Sequence, residues 1–224
     1  MAKTILNLTL GYILLYFPNM LRETEQTHSK NDKRILERTF DPLAAGLLRL
    51  AKKQPDRVRK ELQDIKKDWD HYKMSISRPY NAALGVIEAS RQITGFAETY
   101  VQAGNLHKGI VMMEASFGIQ ALIAVLSSSE NLLDNVQNTY LEVVNIPEPL
   151  SGGMTLVPTL RDSTLKYLKT TEEKRKQLFE EDKTGVKVID DFASVVRKNF
   201  GTPGFRAGVE FAKKYYQALY PLTA

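Results

Sequence analysis

From Ile110 to Ser128 the chain runs nineteen residues with one ionisable side chain, Glu114, and one amide, Gln120. Wound as a helix, this segment presents apolar groups on every side, and such a helix must be enclosed by other helices or by lipid. Gly109, Ala115, Ser116, Gly118, Ala121 and Ala124 are spread along it and let a neighbouring backbone come close in either setting. The flanking segments are amphipathic and supply apolar faces to surround it. The expectation is a central core helix, with a membrane span as the alternative.

The rest of the chain is punctuated at helix-length intervals. Asp41-Pro42 joins an N-cap residue to a proline suited to the first helical position, opening a helix that reaches Lys53. Gln54-Pro55-Asp56 starts a second helix, which runs to Ser77 and stops at Arg78-Pro79. A third extends from Tyr80 to Ala103 and closes at Gly104-Asn105, and the apolar helix follows from Leu106 to Leu126. Ser127-Ser128-Ser129 offers caps for Glu130 to Val144, and Asn145-Ile146-Pro147 stops that helix. Beyond it come a charged helix from Thr159 to Asp182, a striped one from Val186 to Phe200, and a last one opened by Thr202-Pro203. No stretch of this body joins strand alternation to hairpin signals. The fold class is all-α: a bundle of about seven to nine helices around the apolar one.

A chain of 224 residues buries about 70–75% of its unfolded surface, enough for a core without staples. It has no cysteine, which excludes a disulfide scaffold, a thiol nucleophile and thiolate metal sites. The longest break, Asn145 to Pro158, holds three prolines and Gly152-Gly153. Three parts are expected: an N-terminal bundle over 1–146, a Pro/Gly-rich linker over 147–158, and a helical part over 159–224 packed on the same core. Within the bundle Ile87-Glu88-Ala89-Ser90 recurs as Met113-Glu114-Ala115-Ser116. A single recurrence does not make a repeat array.

Charge is localised. The net charge of the chain is +5, and the segment Arg49 to Lys67 alone, with eight basic and three acidic residues, also sums to +5. In its helix Val58, Leu62, Ile65, Trp69, Tyr72 and Ile76 are spaced 4, 3, 4, 3 and 4, which keeps them within about 40° of one line, as in a heptad seam. One edge of the seam carries Arg59, Lys66 and Lys73, and the other Glu61, Asp64 and Asp68. Opposite signs on opposite edges suit a partner helix of complementary polarity. Lys52, Lys53, Arg57 and Lys60, with Lys67 further along, form a separate basic corner as a candidate nucleic-acid contact.

Two other segments bear on partners. Thr4 to Leu21 is eighteen residues without a charge, about 27 Å long as a helix, and interrupted by Asn7, Gly11, Pro18 and Asn19. That is short for a span, so a helix docked on the bundle or on a partner is preferred to membrane insertion, and a strand-like alternation is also present. Tyr215, Tyr216 and Tyr220 crowd the C-terminus, a residue type enriched at interfaces and also common in cores.

Chemistry is poorly signalled. His28, His71 and His107 are scattered, and the helices that would carry a di-metal site read Glu88-x-x-Arg91 and Glu114-x-x-Phe117, without the histidines such a site needs. Glu114, with His107 two turns before it, is the polar residue of interest, because a carboxylate on an apolar helix must find a donor, reach water or take a proton. Ser151-Gly152-Gly153 lacks the lysine of a phosphate loop. No enzyme activity, cofactor or small-molecule substrate is expected. The expected function is a structural or adaptor subunit that works by association with a protein partner or with itself. Nucleic-acid binding by the basic corner and membrane association through 4–21 are the alternatives. A cytoplasmic setting is expected, with a membrane-associated one as its alternative.

Overall fold

The computed structural model describes residues 34–43, 45–46, 48–71, 81–130, 132–133 and 152–223, and all regular structure among them is helical. Helical residues between 34 and 53 lead into α1 (Pro55–His71), followed by α2 (Asn81–Gln102), α3 (Leu106–Ser127), α4 (Gly152–Thr170), α5 (Glu172–Glu181), α6 (Val186–Asn199) and α7 (Pro203–Thr223). A three-residue turn joins α2 to α3 as a hairpin. Gly104 supplies its left-handed residue at φ +77°, and the Asn105 side chain caps α3 by accepting from Lys108 N at 3.3 Å.

The apolar helix is the hub. Seventeen of the 22 residues of α3 are buried. It packs most heavily against α2 and α7 and also meets α4 and α6. A single apolar cluster extends from Ile35 and Leu36 through α3 to Leu219. Among the described residues α3 is the helix long and apolar enough to cross a bilayer, with a mean hydropathy of 1.8, yet 89% of its most apolar window is buried by the chain itself. The bundle surrounds it, as an all-round apolar surface requires.

Between α3 and α7 the backbones approach very closely. A Cβ placed on Gly208 would overlap the carbonyl of Ala115, and one placed on Gly118 would overlap the carbonyl of Phe205. A third, on Gly204, would meet Glu114 Oε2 at 2.6 Å and Val111 O at 2.8 Å. Gly204-x-x-x-Gly208 thus opens one side of α7 so that two backbones touch, and dispersion gains across that contact offset the low helix propensity of glycine. An aromatic chain continues outward from the crossing. Phe117 meets Phe205 (centroids 5.6 Å apart), Phe205 meets Phe200 (6.0 Å), Phe200 meets Phe192 (6.3 Å) and Phe192 meets Tyr167 on α4 (5.0 Å).

The structure departs from the sequence expectations in four places. Residues 34–43 are helical throughout, so Asp41-Pro42, expected to open a helix, lies within one already formed. The linker expected through residue 158 is helical from Gly152, and Pro158 sits inside α4; two glycines and a proline are a weak local prior that the surrounding fold overrides. The charged helix expected from Thr159 to Asp182 is two helices, broken at Thr171, whose hydroxyl donates to Tyr167 O at 2.6 Å. Beyond the break Arg175 and Phe179 are buried, as is Leu168 before it. The C-terminal tyrosines, expected to offer pairing surface, belong largely to the core: Tyr215 and Tyr216 are buried, and Tyr216 donates to Thr184 O at 2.6 Å. Thr4 to Leu21 lies outside the described residues.

Gly208→Ala should cost about 3 kcal/mol in urea unfolding, the upper end for overpacking, because a backbone carbonyl cannot rotate away. Gly46→Ala should instead stabilise by about 0.5–1 kcal/mol, since nothing lies within 4 Å of its Cβ position. Equal effects at the two sites would contradict a backbone-to-backbone contact at Gly208.

Candidate functional site

Glu114 is buried, with 6% of its surface exposed, at the first turn of α7. Thr202 precedes that helix. Its hydroxyl donates to Glu114 Oε2 at 2.8 Å and accepts the amide of Phe205 at 3.2 Å, so a single side chain caps α7 and holds the carboxylate. A carboxylate at a helix N-terminus also meets the positive end of the macrodipole. The apolar helix therefore carries its one acid where α7 supplies a donor. His107, two turns earlier, is exposed.

The serines of the recurring tetrapeptides meet. Ser90 Oγ and Ser116 Oγ are 3.0 Å apart in the buried α2–α3 contact. Thr94 Oγ1 lies 2.8 Å from Ser116 Oγ, and Gln120 Nε2 donates to Ser90 Oγ at 2.7 Å. Small hydroxyl residues let the helices approach while each buried polar atom finds a partner. This network joins α2 to α3 and accounts for the single amide on the apolar helix.

Arg175 interrupts an otherwise apolar stripe, and its position explains why. It is 5% exposed. Its Nη1 donates to Ser128 Oγ at 2.6 Å and to Val125 O at 3.4 Å, and its Nη2 donates to Leu168 O at 2.9 Å. Val125 and Ser128 close α3, and Leu168 lies in the last turn of α4, so one guanidinium serves the negative ends of two helices. Beside it opens a cleft of 410 Å³, lined among others by Glu130, Lys169, Glu172 and Lys176. Its rim is engaged with itself: Lys176 holds Glu172 at 3.0 Å and Glu173 at 2.8 Å.

At the corner before α6, Asp182 Oδ1 accepts the Thr184 amide at 3.0 Å and its hydroxyl at 2.6 Å, while Oδ2 accepts Lys187 N at 3.1 Å. Partial desolvation pushes its carboxyl up, but the Thr184 hydroxyl and the amides of Lys187, Thr184 and Val186 outweigh that, leaving its pKa below the ordinary aspartate value. On the α4–α6 side Tyr167 donates to Asp191 at 2.8 Å, and burial together with that carboxylate raises the phenol well above its usual range. These are also anchoring contacts between elements.

The charges of α1 mostly pair within their own helix. Arg57 holds Glu61 at 2.9 Å, Arg59 holds Asp56 at 3.1 Å and Lys67 holds Asp64 at 3.1 Å. Neighbours three and four apart on a helix pair with each other, so Arg59, Glu61 and Asp64 of the two edges each hold a partner within α1. Lys66 and Asp68 lie on the α1 backbone, while Lys73 lies outside the described residues. Once the acids are occupied, Arg49, Lys52, Lys53 and Lys60 remain exposed around the Pro55 corner with no described acid within 4.0 Å. Among the described residues no group of three His, Cys, Asp or Glu side chains is placed to hold a metal ion.

The outward face of α2 was not singled out by sequence. Phe96 is 44% exposed, the only large hydrophobic so exposed among the described residues, and Gly95 beside it has nothing within 4 Å of its Cβ position. Its signal is a glycine next to a phenylalanine on the polar side of an amphipathic helix. Compared with models of protein families, with curated proteins and with solved structures, the chain matches none.

Two tests follow from the anchoring role of these buried groups. Arg175→Met should cost about 2–3 kcal/mol in urea unfolding by stranding Leu168 O and removing the donor to Ser128 Oγ. Arg175→Lys should recover only part of that, because an ammonium lacks the planar fork that reaches both helix ends. Asp182, with its depressed folded pKa, contributes stability that is complete above the ordinary value of about 3.9 and is lost as pH falls through the folded value. The stability deficit of Asp182→Ala, about 1 kcal/mol at neutral pH, should therefore shrink only on the acid side of about pH 4. A deficit independent of pH would contradict this cap.

Proposed function

We propose that this chain is a non-enzymatic helical subunit that works by association with protein, in a homo-oligomer or a larger assembly. The observation that carries the reading is the α2 face, where an exposed Phe96 stands among uncharged side chains, the composition of a contact centre rather than of a solvated helix. The buried polar groups support it from the other side. Glu114, Ser116 and Arg175 are each engaged by neighbouring helices or their caps, which is how groups that fasten elements together are placed.

A second reading has its own observation. Arg49, Lys52, Lys53 and Lys60 keep their charge uncancelled at one corner, which favours a polyanion such as nucleic acid. The full chain, purified with nuclease and without detergent, should have a native mass above that of the 25.4 kDa monomer, and the mass should be retained at high salt. A bare monomer without a stoichiometric partner would contradict association. A particle that disperses with nuclease, or an affinity that falls steeply with salt, would favour the second reading instead.

A further inference from the structure

We propose that the outer side of the helical residues between 34 and 53, continued along α1, is a docking stripe for duplex nucleic acid, gripped by its phosphate backbone without regard to sequence. This rests on the polyanion reading and extends it from a corner to a stripe with a stated ligand.

The helical phase is kept across the Pro55 corner. Gln54 N donates to Leu50 O at 2.8 Å and Val58 N donates to Gln54 O at 3.1 Å, so helical bonding continues through the residue between the two elements. Burial keeps the same register. At about 100° per residue Leu36, Phe40, Ala51, Val58 and Leu62, all buried or half-buried, fall within about 40° of one line. Arg38, Arg49, Lys53, Lys60 and Lys67, all exposed, fall within about 40° of the line opposite. The stripe from Arg38 to Lys67 is about 44 Å long.

It is nearly of one sign. Arg38, Arg49, Lys53 and Lys60 have no described acid within 4.0 Å. Asp56, the acid nearest the line, is held by Arg59 at 3.1 Å, and Asp64 at its margin by Lys67 at 3.1 Å. Asp41 stands about 80° to one side. A row of uncancelled cations this long is matched by a partner that carries negative charge at every point along its length. A duplex does so, with about one phosphate charge per 1.7 Å of axis.

What lies between the cations selects among anions. Phe96, on α2, is the only large hydrophobic exposed among the described residues, so the stripe offers neither a ring nor an aliphatic wedge. Single strands are held by stacking on aromatic rings, and amphipathic helices enter membranes on apolar side chains. Gln63, the amide near the line, donates to Asn81 Oδ1 on α2 at 2.8 Å and is not left to read a base edge. The remaining contacts are those of Lys and Arg with phosphate, which position a duplex without reading it.

Fluorescence anisotropy of the full chain with a labelled mixed-sequence duplex of about 20 base pairs, longer than the stripe at roughly 68 Å, tests this. Binding should weaken linearly in log K against log salt between roughly 50 and 200 mM, with a slope of about −4. Arg38→Gln and Lys60→Gln, about 33 Å apart along the stripe, should each weaken binding equally for unrelated sequences and reduce the slope by about one. Neither should lower the melting temperature. Lys60→Arg should bind as the unaltered chain does, and Lys198→Gln, at an exposed position on α6, should change nothing. A silent Arg38→Gln beside an effective Lys60→Gln would overturn the stripe while leaving the corner. Tighter binding to a single strand of the same length would overturn the duplex as occupant, as would binding to phosphatidylserine vesicles without binding to the duplex. No binding even at about 50 mM salt would overturn the polyanion reading together with the stripe.

Discussion

The contact between the backbones of α3 and α7 governs the rest of the structure. α3 is apolar on all sides and must be enclosed, but a helix cannot be enclosed tightly by partners that carry side chains at every crossing point. Gly118, Gly204 and Gly208 remove them where the axes meet. Because α7 lies so close, Thr202 at its start reaches Glu114, and Phe205 reaches Phe117. On the opposite side of α3 the hydroxyls of Ser90 and Ser116 bring α2 to a similarly close approach. Two kinds of small residue, glycine towards α7 and serine towards α2, thus seat one hub helix between two neighbours.

The polar groups of the interior are distributed to serve that arrangement. Each stands where helix ends or small-residue contacts leave donors or acceptors to satisfy: Glu114 at the start of α7, Arg175 at the ends of α3 and α4, Asp182 before α6. A buried group left unmatched would cost about 1–3 kcal/mol, so these positions are costly to change for reasons of stability alone. That separation, anchors inside and an uncharged aromatic face outside on α2, underlies the proposal that the chain acts by association.

How much of this is legible in the sequence depends on the range of the interaction. The central helix is legible because its apolar surround is a property of one segment, and so are the Gly104-Asn105 turn and the Thr202-Pro203 helix start, which are local chemistry. Gly204-x-x-x-Gly208 is equally visible as a spacing, but its meaning depends on α3 lying opposite, which no local pattern states. Arg175 reads as a break in a stripe because its partners, Val125 and Leu168, lie fifty and seven residues away. The charges of α1 are legible locally as well: Asp56, Glu61 and Asp64 have basic neighbours one turn away and pair with them. Tyr215 and Tyr216 show that composition alone does not separate an interface from a core.

The claim that α2 presents the working surface is tested most directly by hydrogen exchange on the full chain at low and high protein concentration. Amides between Gln92 and Ala103 should gain protection with concentration, while those of α3, already enclosed by the bundle, should not change. Protection of α2 that is independent of concentration, or a gain confined to another element such as α1, would contradict it.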